Sequence, residues 1–372
     1  MQTLYLNGKF TAQATTGVQR VAHCMLEAVD LRLSCDADGA AVRWVLLCPP
    51  GGRPPSLRCI EVRFIGSVRA GLHAWEQWHL PRAAREGLLV SLAGSAPAFA
   101  RRQVCTLHDA AVFDRPEAYS PIFRDWYRWL FRRLARTAVA LNTVSDFSKR
   151  RLVERLGIAG ERITVIHNGG DHLQHAAAAT SFLATAGLVG RRFVLAVGSD
   201  NANKNFAAVI EALAVLGDAD LCLVIAGGRR GAVFAAGHAP ASVTSSAQVI
   251  RLGPVSDAEL KALYGGAAAL VFASSYEGFG LPPLEAMSCA CPVVASSAAA
   301  VPEVCGDAAL YVDPDSPADI ARRLARLMAD APLRAELVER GKARVALFAW
   351  DRAAAALQAQ LEPLVMRPVA SA

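Results

Sequence analysis

Residues 269–287, ALVFASSYEGFGLPPLEAM, read as a strand, a turn and the start of a helix. Ala269 to Ser274 is an uncharged, largely apolar run of strand length, the composition of a strand buried on both faces of a parallel sheet. Gly278, Gly280, Pro282 and Pro283 then break any regular period. Pro283 suits the first position of a helix, where its missing N–H would lack a partner anyway, and Leu284 to Ser288 continue helically. Glu277 therefore falls at the carboxyl end of a strand, and Glu285 is expected as the third helical residue. A glutamate there can close a capping box with a Ser or Thr three residues earlier, but residue 282 is Pro. A helix start beside glycines suits phosphate. Carboxylates repel phosphate, so the two acids must meet something else: sugar or ribose hydroxyls, or a developing positive charge.

The same strand, turn and helix alternation recurs along the chain. LYL (4–6), WVLLC (44–48), LLVSL (88–92), QVCTL (103–107), AVALNTV (138–144) and ITVIH (163–167) form one series. After His167 the pattern breaks at Asn168-Gly169-Gly170-Asp171. A second series follows: FVLAV (193–197), LCLVIAG (221–227), VIRLG (249–253), ALVFAS (269–274), CPVVAS (291–296) and AALYVD (308–313). Helical segments between apolar strands are the pattern of parallel β-α units. The expected fold class is therefore α/β, with two doubly wound Rossmann-like domains, residues 1–171 and 172–347, facing one ligand-binding cleft beyond the carboxyl ends of their strands. LFAWDRAAAALQAQLEPL begins a final helix, residues 348–372, with Trp350 and Leu357 on one side.

The totals agree. The chain has 372 residues, 53% hydrophobic and 19% charged, enough to bury two cores and far from a disordered composition. No apolar run reaches bilayer length, and MQTLYLNGKF lacks the basic and apolar regions of a secretory signal. Nine cysteines without a C-x-x-C pair read as reduced thiols, which together with the missing signal places the expected location in the cytosol. A net charge of +6 favours anionic ligands or an anionic membrane surface, and no nucleic-acid-binding motif is read. No metal-ligand cluster is read either, so neither metal nor cofactor is expected.

Three further elements carry chemistry. Lys204, in GSDNANKN (198–205), lies between a strand and a helix starting near Phe206. A lysine at a helix N-terminus opposes the helix dipole by about 0.3–1 kcal/mol, so a nearby anion such as a diphosphate would offset that cost. His108 and Asp109 follow the strand QVCTL. TTGVQRVAH leads into the first helix, with Thr16 or Gly17 at its N-terminus, where a glycine lets the backbone approach phosphate or sugar. There is no G-x-G-x-x-G after the first strand, which argues against a dinucleotide-binding dehydrogenase. RDWYRWLFRRLARTAV (124–139) mixes arginines with aromatics: either an amphipathic helix with its aromatic face in the core, or a helix lying on an anionic membrane.

With seven residues between Glu277 and Glu285, SSYEGFGLPPLEAMSCACPVVAS resembles the E-x7-E signature of the retaining GT-B glycosyltransferases of the GT4 type. The resemblance extends over nearly the whole chain. It implies a hexosyltransferase using a nucleoside-diphosphate sugar as substrate, with Glu285 on the ribose hydroxyls and Glu277 and the backbone of Gly278, Phe279, Gly280 and Leu281 on the transferring sugar. Lys204 matches a diphosphate-binding lysine and His108 a histidine that touches the sugar, while Gly17 belongs to the loop facing phosphate and acceptor. The final helix is expected to cross back to the first domain. Where the family loop carries an arginine this chain has Ser199 and Asp200, so Arg229, Arg230 or Arg20 is left to supply the second phosphate contact. LYLNGKF and TGVQR resemble mannosyltransferases of bacterial surface-polysaccharide assembly. They imply GDP-mannose as donor, a glycan or polyprenyl-linked glycan as acceptor, and a place in the cytoplasm or on the inner face of its membrane. A UDP-sugar-dependent transferase, a non-hydrolysing sugar-nucleotide epimerase and a non-catalytic assembly protein stay open as alternatives.

Overall fold

A computed structural model describes residues 2–35, 42–174, 176–228 and 248–366. The chain divides into two compact units. The first comprises Met1–Ala110, Asp125–Asn168 and Trp350–Ala372, and the second Ala111–Arg124 and Gly169–Ala349. The grouping differs from the sequence reading in placing Ala111–Arg124 with the second unit. Two contacts accompany this: the Tyr276 hydroxyl donates to Asp114 Oδ2 at 3.0 Å, and Arg115 Nη2 to the Ser275 carbonyl at 3.5 Å.

In the first unit β1 (Gln2–Asn7), β2 (Val42–Cys48), β3 (Glu61–Phe64), β4 (Leu88–Ser91), β5 (Gln103–Thr106), β6 (Ala140–Thr143) and β7 (Ile163–Val165) form one parallel sheet in the order β3-β2-β1-β4-β5-β6-β7. Leu4, Val45, Leu46, Leu89, Val90, Val104 and Leu141 are fully buried. Residues of both parities along a strand are buried because helices cover both faces of a parallel sheet. β3, EVRF, is the strand that the sequence reading lacks. It is a short edge strand, mostly half-exposed, and alternates charge with apolar residues. The helix Trp350–Val365 buries Trp350, Ala354, Leu357 and Leu361 in this unit. Arg32 Nε donates to Gln358 Oε1 at 2.7 Å, and Gln360 Nε2 to Asn142 Oδ1 at 2.6 Å.

In the second unit β8 (Arg192–Val197), β9 (Leu221–Ala226), β10 (Val249–Gly253), β11 (Ala269–Phe272), β12 (Val293–Ser296) and β13 (Leu310–Val312) pair in parallel in the order β10-β9-β8-β11-β12-β13. The helices Phe206–Leu216 and Pro317–Ala329 pack on this sheet through Val209, Ala212, Leu213, Ile320, Leu324 and Leu327. Both sheets reverse their strand order once, between β1 and β4 and between β8 and β11. In open α/β sheets the carboxyl ends of the strands at such a reversal are where ligands bind. The chain leaves β8 into Gly198 and Lys204 and leaves β11 into Glu277, so topology alone brings these loops together.

Among the described residues no helix is long and apolar enough to cross a membrane, and none of the nine cysteines forms a disulfide.

Candidate active site

The loop after β8 begins at Gly198, whose φ of 153° is rare for any residue with a side chain. A Cβ there would lie 3.0 Å from Lys204 Cε and 3.1 Å from its Cδ, so the glycine leaves room for the lysine stem to lie against the backbone. At Gly227, after β9, a Cβ would fall 1.9 Å from the Gly198 carbonyl oxygen. Two backbones are thus pressed together, and only glycine permits that. Lys204 sits in the one-turn 3-10 helix Ala202–Lys204, capped by the Asn201 side chain, between β8 and the helix that starts at Phe206, where the sequence places it. Asn205, at φ 53°, turns the chain into the helix Phe206–Leu216, and its Nδ2 donates to the Pro314 carbonyl at 2.6 Å. Ser199 is half-buried in the same loop.

The loop after β11 is tied to the first one, since Ser275 N donates to the Asn203 carbonyl at 2.9 Å. It brings Glu277 Oε1 to 2.6 Å from Lys204 Nζ, with the two side chains 17% and 16% exposed. The ammonium also lies 5.2 Å from the centroid of the Phe272 ring. Breaking a pair this enclosed costs more than breaking a surface salt bridge, because removing either partner leaves a lone charge largely out of water. Gly278 follows Glu277 directly. Phe279 is buried, meeting Phe348 edge to face at 5.8 Å, and Gly280 takes a φ of 110° to start the next helix.

That helix spans Leu281–Ser288, so it begins two residues earlier than the prolines suggested. Pro282 and Pro283 both fit inside its first turn, where no backbone N–H is required. Glu285 is consequently the fifth helical residue and not the third. Its carboxylate is buried, accepting from the Tyr264 hydroxyl at 2.9 Å and facing His172 Nε2 at 3.1 Å. Lys204 and Glu277 are therefore brought into direct contact, while Glu285 is held by its own pair of partners.

His108 and Gly17 belong to the first unit. His108, after β5, has Nε2 at 2.8 Å from the Leu92 carbonyl. A carbonyl only accepts, so Nε2 carries the proton. Burial pushes the imidazole pKa below its ordinary value, the Leu92 bond opposing this, and the ring is neutral at pH 7 with an acceptor at Nδ1. Gly94, at φ 71°, stands beside the ring: a Cβ there would lie 3.4 Å from His108 Cδ2. Gly17 is the first residue of the helix Gly17–Cys35, and a Cβ on it would meet nothing within 4 Å. Neither its backbone angles nor its packing requires glycine. Asp109 follows His108 in the same loop, and Arg20 lies one turn into that helix. Arg229 and Arg230, the other candidates for a phosphate contact, lie outside the described residues.

Several residues escaped the sequence reading. His172 and Tyr264 are separated from Glu285 by 113 and 21 positions, and no local pattern links them. Lys9 and Glu76 form a buried pair at 2.7 Å at the end of β1. Asn7 and Ser95 donate to Glu76 Oε1 at 3.0 and 2.7 Å. Asp313 and Asp315 form a D-x-D pair directly after β13. The structure uses it in a turn: Asp315 N donates to Asp313 Oδ1 at 3.0 Å, and Asp313 N to Asp319 Oδ2 at 2.9 Å.

The Trp and Arg segment is the helix Pro121–Thr137, and its core face is Leu130, Phe131, Leu134 and Ala135. The two tryptophans do not enter the core as the amphipathic reading supposed, although Phe131 does. Trp129 is 43% and Phe99 69% exposed. Trp126 packs on Trp129 at 5.1 Å, and the Arg133 guanidinium lies 5.0 Å from the Phe99 ring centroid.

Sequence models of two families match the chain: "Glycosyltransferase Family 4" over residues 29–172 and "Glycosyl transferases group 1" over residues 186–344. Among curated proteins it is 31% identical over 259 residues to the O-antigen chain mannosyltransferase B of Escherichia coli, covering 67% of each chain. It is 32% identical over 218 residues to the O-antigen chain mannosyltransferase RfbU of Salmonella typhimurium, covering 58% of each. Among solved structures it resembles sucrose-phosphate synthase from Thermosynechococcus elongatus, with TM-score 0.71 and 19% identity over 98% of this chain and 99% of that one. It also resembles Anabaena Alr3699/HepE, with TM-score 0.72 and 17% identity over 97% of this chain and 100% of that one, a structure determined with UDP-glucose. The two parallel sheets, the E-x7-E stretch and these relatives lead to one assignment: the chain belongs to the GT4-type family and is a glycosyltransferase of GT-B fold.

Proposed function

We propose that this protein transfers mannose, with retention of anomeric configuration, from GDP-mannose to a hydroxyl of a lipid-linked glycan. The observation that carries the reading is the Lys204–Glu277 pair, 2.6 Å apart on the loops that leave β8 and β11. Cleaving a sugar from a diphosphate separates charge: the leaving group becomes more negative and the anomeric carbon more positive. An ammonium and a carboxylate held side by side match both ends of that separation before the reaction begins, and preorganised charge is the largest common source of catalysis. Likeness to O-antigen mannosyltransferases supports mannose as the sugar and a glycan as the acceptor.

In this reading Lys204 holds the diphosphate, with Ser199 and the backbone of Gly278, Phe279, Gly280 and Leu281 along the donor. Glu277 faces the sugar and Glu285 the ribose hydroxyls. The bond from C1 to the phosphate oxygen breaks with its electron pair passing to the diphosphate. The acceptor oxygen bonds to C1 on the same face, and its proton goes to the departing phosphate oxygen. Nδ1 of His108 accepts a hydrogen bond from a sugar hydroxyl, and Gly17 leaves room for phosphate. Lys204 supplies the cationic charge, so no metal ion is assigned a step. The acceptor's lipid places the enzyme on the cytoplasmic face of a membrane. Exposed Trp129 and Phe99 with Arg133, and Trp78 with Arg82 stacked on it at 4.5 Å, supply the amphipathic surface that such an interface favours.

The test is incubation of the purified protein with GDP-α-mannose and a mannose-terminated lipid-linked oligosaccharide, with NMR of the product. An α-linked mannose is expected. A β linkage overturns retention, and transfer from UDP-glucose but not GDP-mannose overturns the donor.

A further inference from the structure

We infer that His172 and Tyr264 are positioning residues that hold the Glu285 carboxylate in the orientation that reads the vicinal hydroxyls of the donor's ribose; this rests on the donor reading above. Glu285 is 3% exposed on an eight-residue helix, between Leu284, Ala286 and Met287, all buried. An apolar side chain of similar size would pack there more cheaply than a carboxylate, which pays to leave water. The acid is nonetheless met by two donors on opposite oxygens. The Tyr264 hydroxyl reaches Oε2 at 2.9 Å, and His172 Nε2 lies 3.1 Å from Oε1.

Both donors sit on locally fixed backbone. Tyr264 is fully buried near the end of the helix Asp257–Gly266, whose start is locked by a capping box between Ser256 and Glu259. Burial and the neighbouring carboxylate drive its pKa well above the ordinary tyrosine value, so the hydroxyl keeps its proton and donates. His172 arrives from the segment that enters the second unit at Gly169. Gly170 has Leu284 against it so closely that a Cβ would fall 2.5 Å from Leu284 Cβ, and its N–H donates to the Phe348 carbonyl at 2.8 Å. The entering segment is thereby pressed onto the helix at Leu284, the residue before Glu285, and His172 is delivered to the carboxylate. A carboxylate gripped on both oxygens cannot rotate, and a fixed pair of acceptors distinguishes a diol from a single hydroxyl.

The experiment is calorimetric titration with GDP and UDP and with their 2′,3′-dideoxy analogues, on the wild type and on Glu285→Gln, Tyr264→Phe, His172→Leu and His172→Gln, each first checked for an intact melting transition. The wild type should prefer the ribose form of its nucleotide by about tenfold or more, which is 1.4 kcal/mol. Tyr264→Phe and His172→Leu should each bring that preference close to one, and His172→Gln, whose amide places a donor near the lost Nε2, should restore most of it. Loss of the preference in Glu285→Gln, with Tyr264→Phe and His172→Leu behaving as wild type, overturns the inference and leaves the donor reading intact. A preference that survives Glu285→Gln overturns the inference and removes Glu285 from the ribose, whereas a wild type that binds none of these nucleotides overturns the donor reading as well.

Discussion

Removing the Lys204 ammonium separates the two things it does. In Lys204→Ala the Glu277 carboxylate, 16% exposed, loses a partner at 2.6 Å. Exposed pairs are worth about 0–1 kcal/mol and breaking a buried pair costs about 3–5 kcal/mol. A pair enclosed to this degree belongs between them, at about 1–2 kcal/mol. For a domain of this size each kcal/mol moves the melting temperature by about 2–4 °C, so a fall of roughly 2–8 °C is expected. Lys204→Met keeps the aliphatic stem that lies against Gly198 and should recover part of that fall. Catalysis should suffer far more, and equally in both variants. A unit charge about 4 Å from a departing phosphate oxygen, at an effective dielectric near 20, contributes about 4 kcal/mol. Turnover of GDP-mannose should therefore drop about a thousandfold. The assay is GDP release in the presence of acceptor, with melting temperatures measured on the same preparations. Turnover within about threefold of wild type in either variant would refute the assignment of Lys204 to the leaving group, whatever happened to stability.

Other consequences follow from single contacts. Gly227→Ala should unfold or severely weaken the second unit, because its Cβ would lie 1.9 Å from a backbone oxygen. Gly17→Ala should melt like wild type while transfer falls, since its Cβ meets no protein atom within 4 Å; unchanged transfer would remove Gly17 from the donor loop. His23, His73 and His108 all have pKa values lowered, chiefly by burial. The unfolded chain therefore binds more protons than the folded one as pH drops below about 6.5, and this stabilisation, complete above that pH, is lost on acidification. The melting temperature should fall from pH 8 to pH 5.5, and His23→Gln should reduce the slope; a slope unchanged by that substitution would discount the His23 contribution. Replacing Phe99 and Trp129 together by Ser should reduce sedimentation with vesicles containing anionic lipid while leaving the fold intact, and equal sedimentation would remove this patch from the membrane surface.

The fold was legible because its signals are local. β11 announces itself as an uncharged apolar run ended by Ser275, and each core strand has the same form, so the two parallel sheets follow. β3 escaped because EVRF at a sheet edge is short and half polar, and nothing in four such residues separates an edge strand from a loop. The acids of the E-x7-E stretch were legible for the same local reason, because both lie close to where the strand ends at Phe272 and the helix starts at Leu281. What surrounds Glu285 was not, because Tyr264 and His172 are brought to it by the packing of a helix and an entering segment and not by spacing. Lys9 and Glu76 illustrate the same limit: 67 positions apart, they read singly as surface charges, yet both are buried. Trp129 shows the converse error, since helical spacing identifies a face but not which face meets the core. Here Leu130, Phe131 and Leu134 do, and the tryptophan is left outside.

The most direct test of the account is titration of the wild-type protein with GDP-mannose, GDP, UDP-glucose and UDP, followed by its melting temperature. A ligand at about 100 times its dissociation constant stabilises the folded state by about 2.7 kcal/mol. The account predicts a rise in melting temperature with GDP-mannose and GDP, larger than with either uridine nucleotide and abolished in Lys204→Ala. A melting temperature unmoved by all four, or a rise that Lys204→Ala leaves intact, would contradict it.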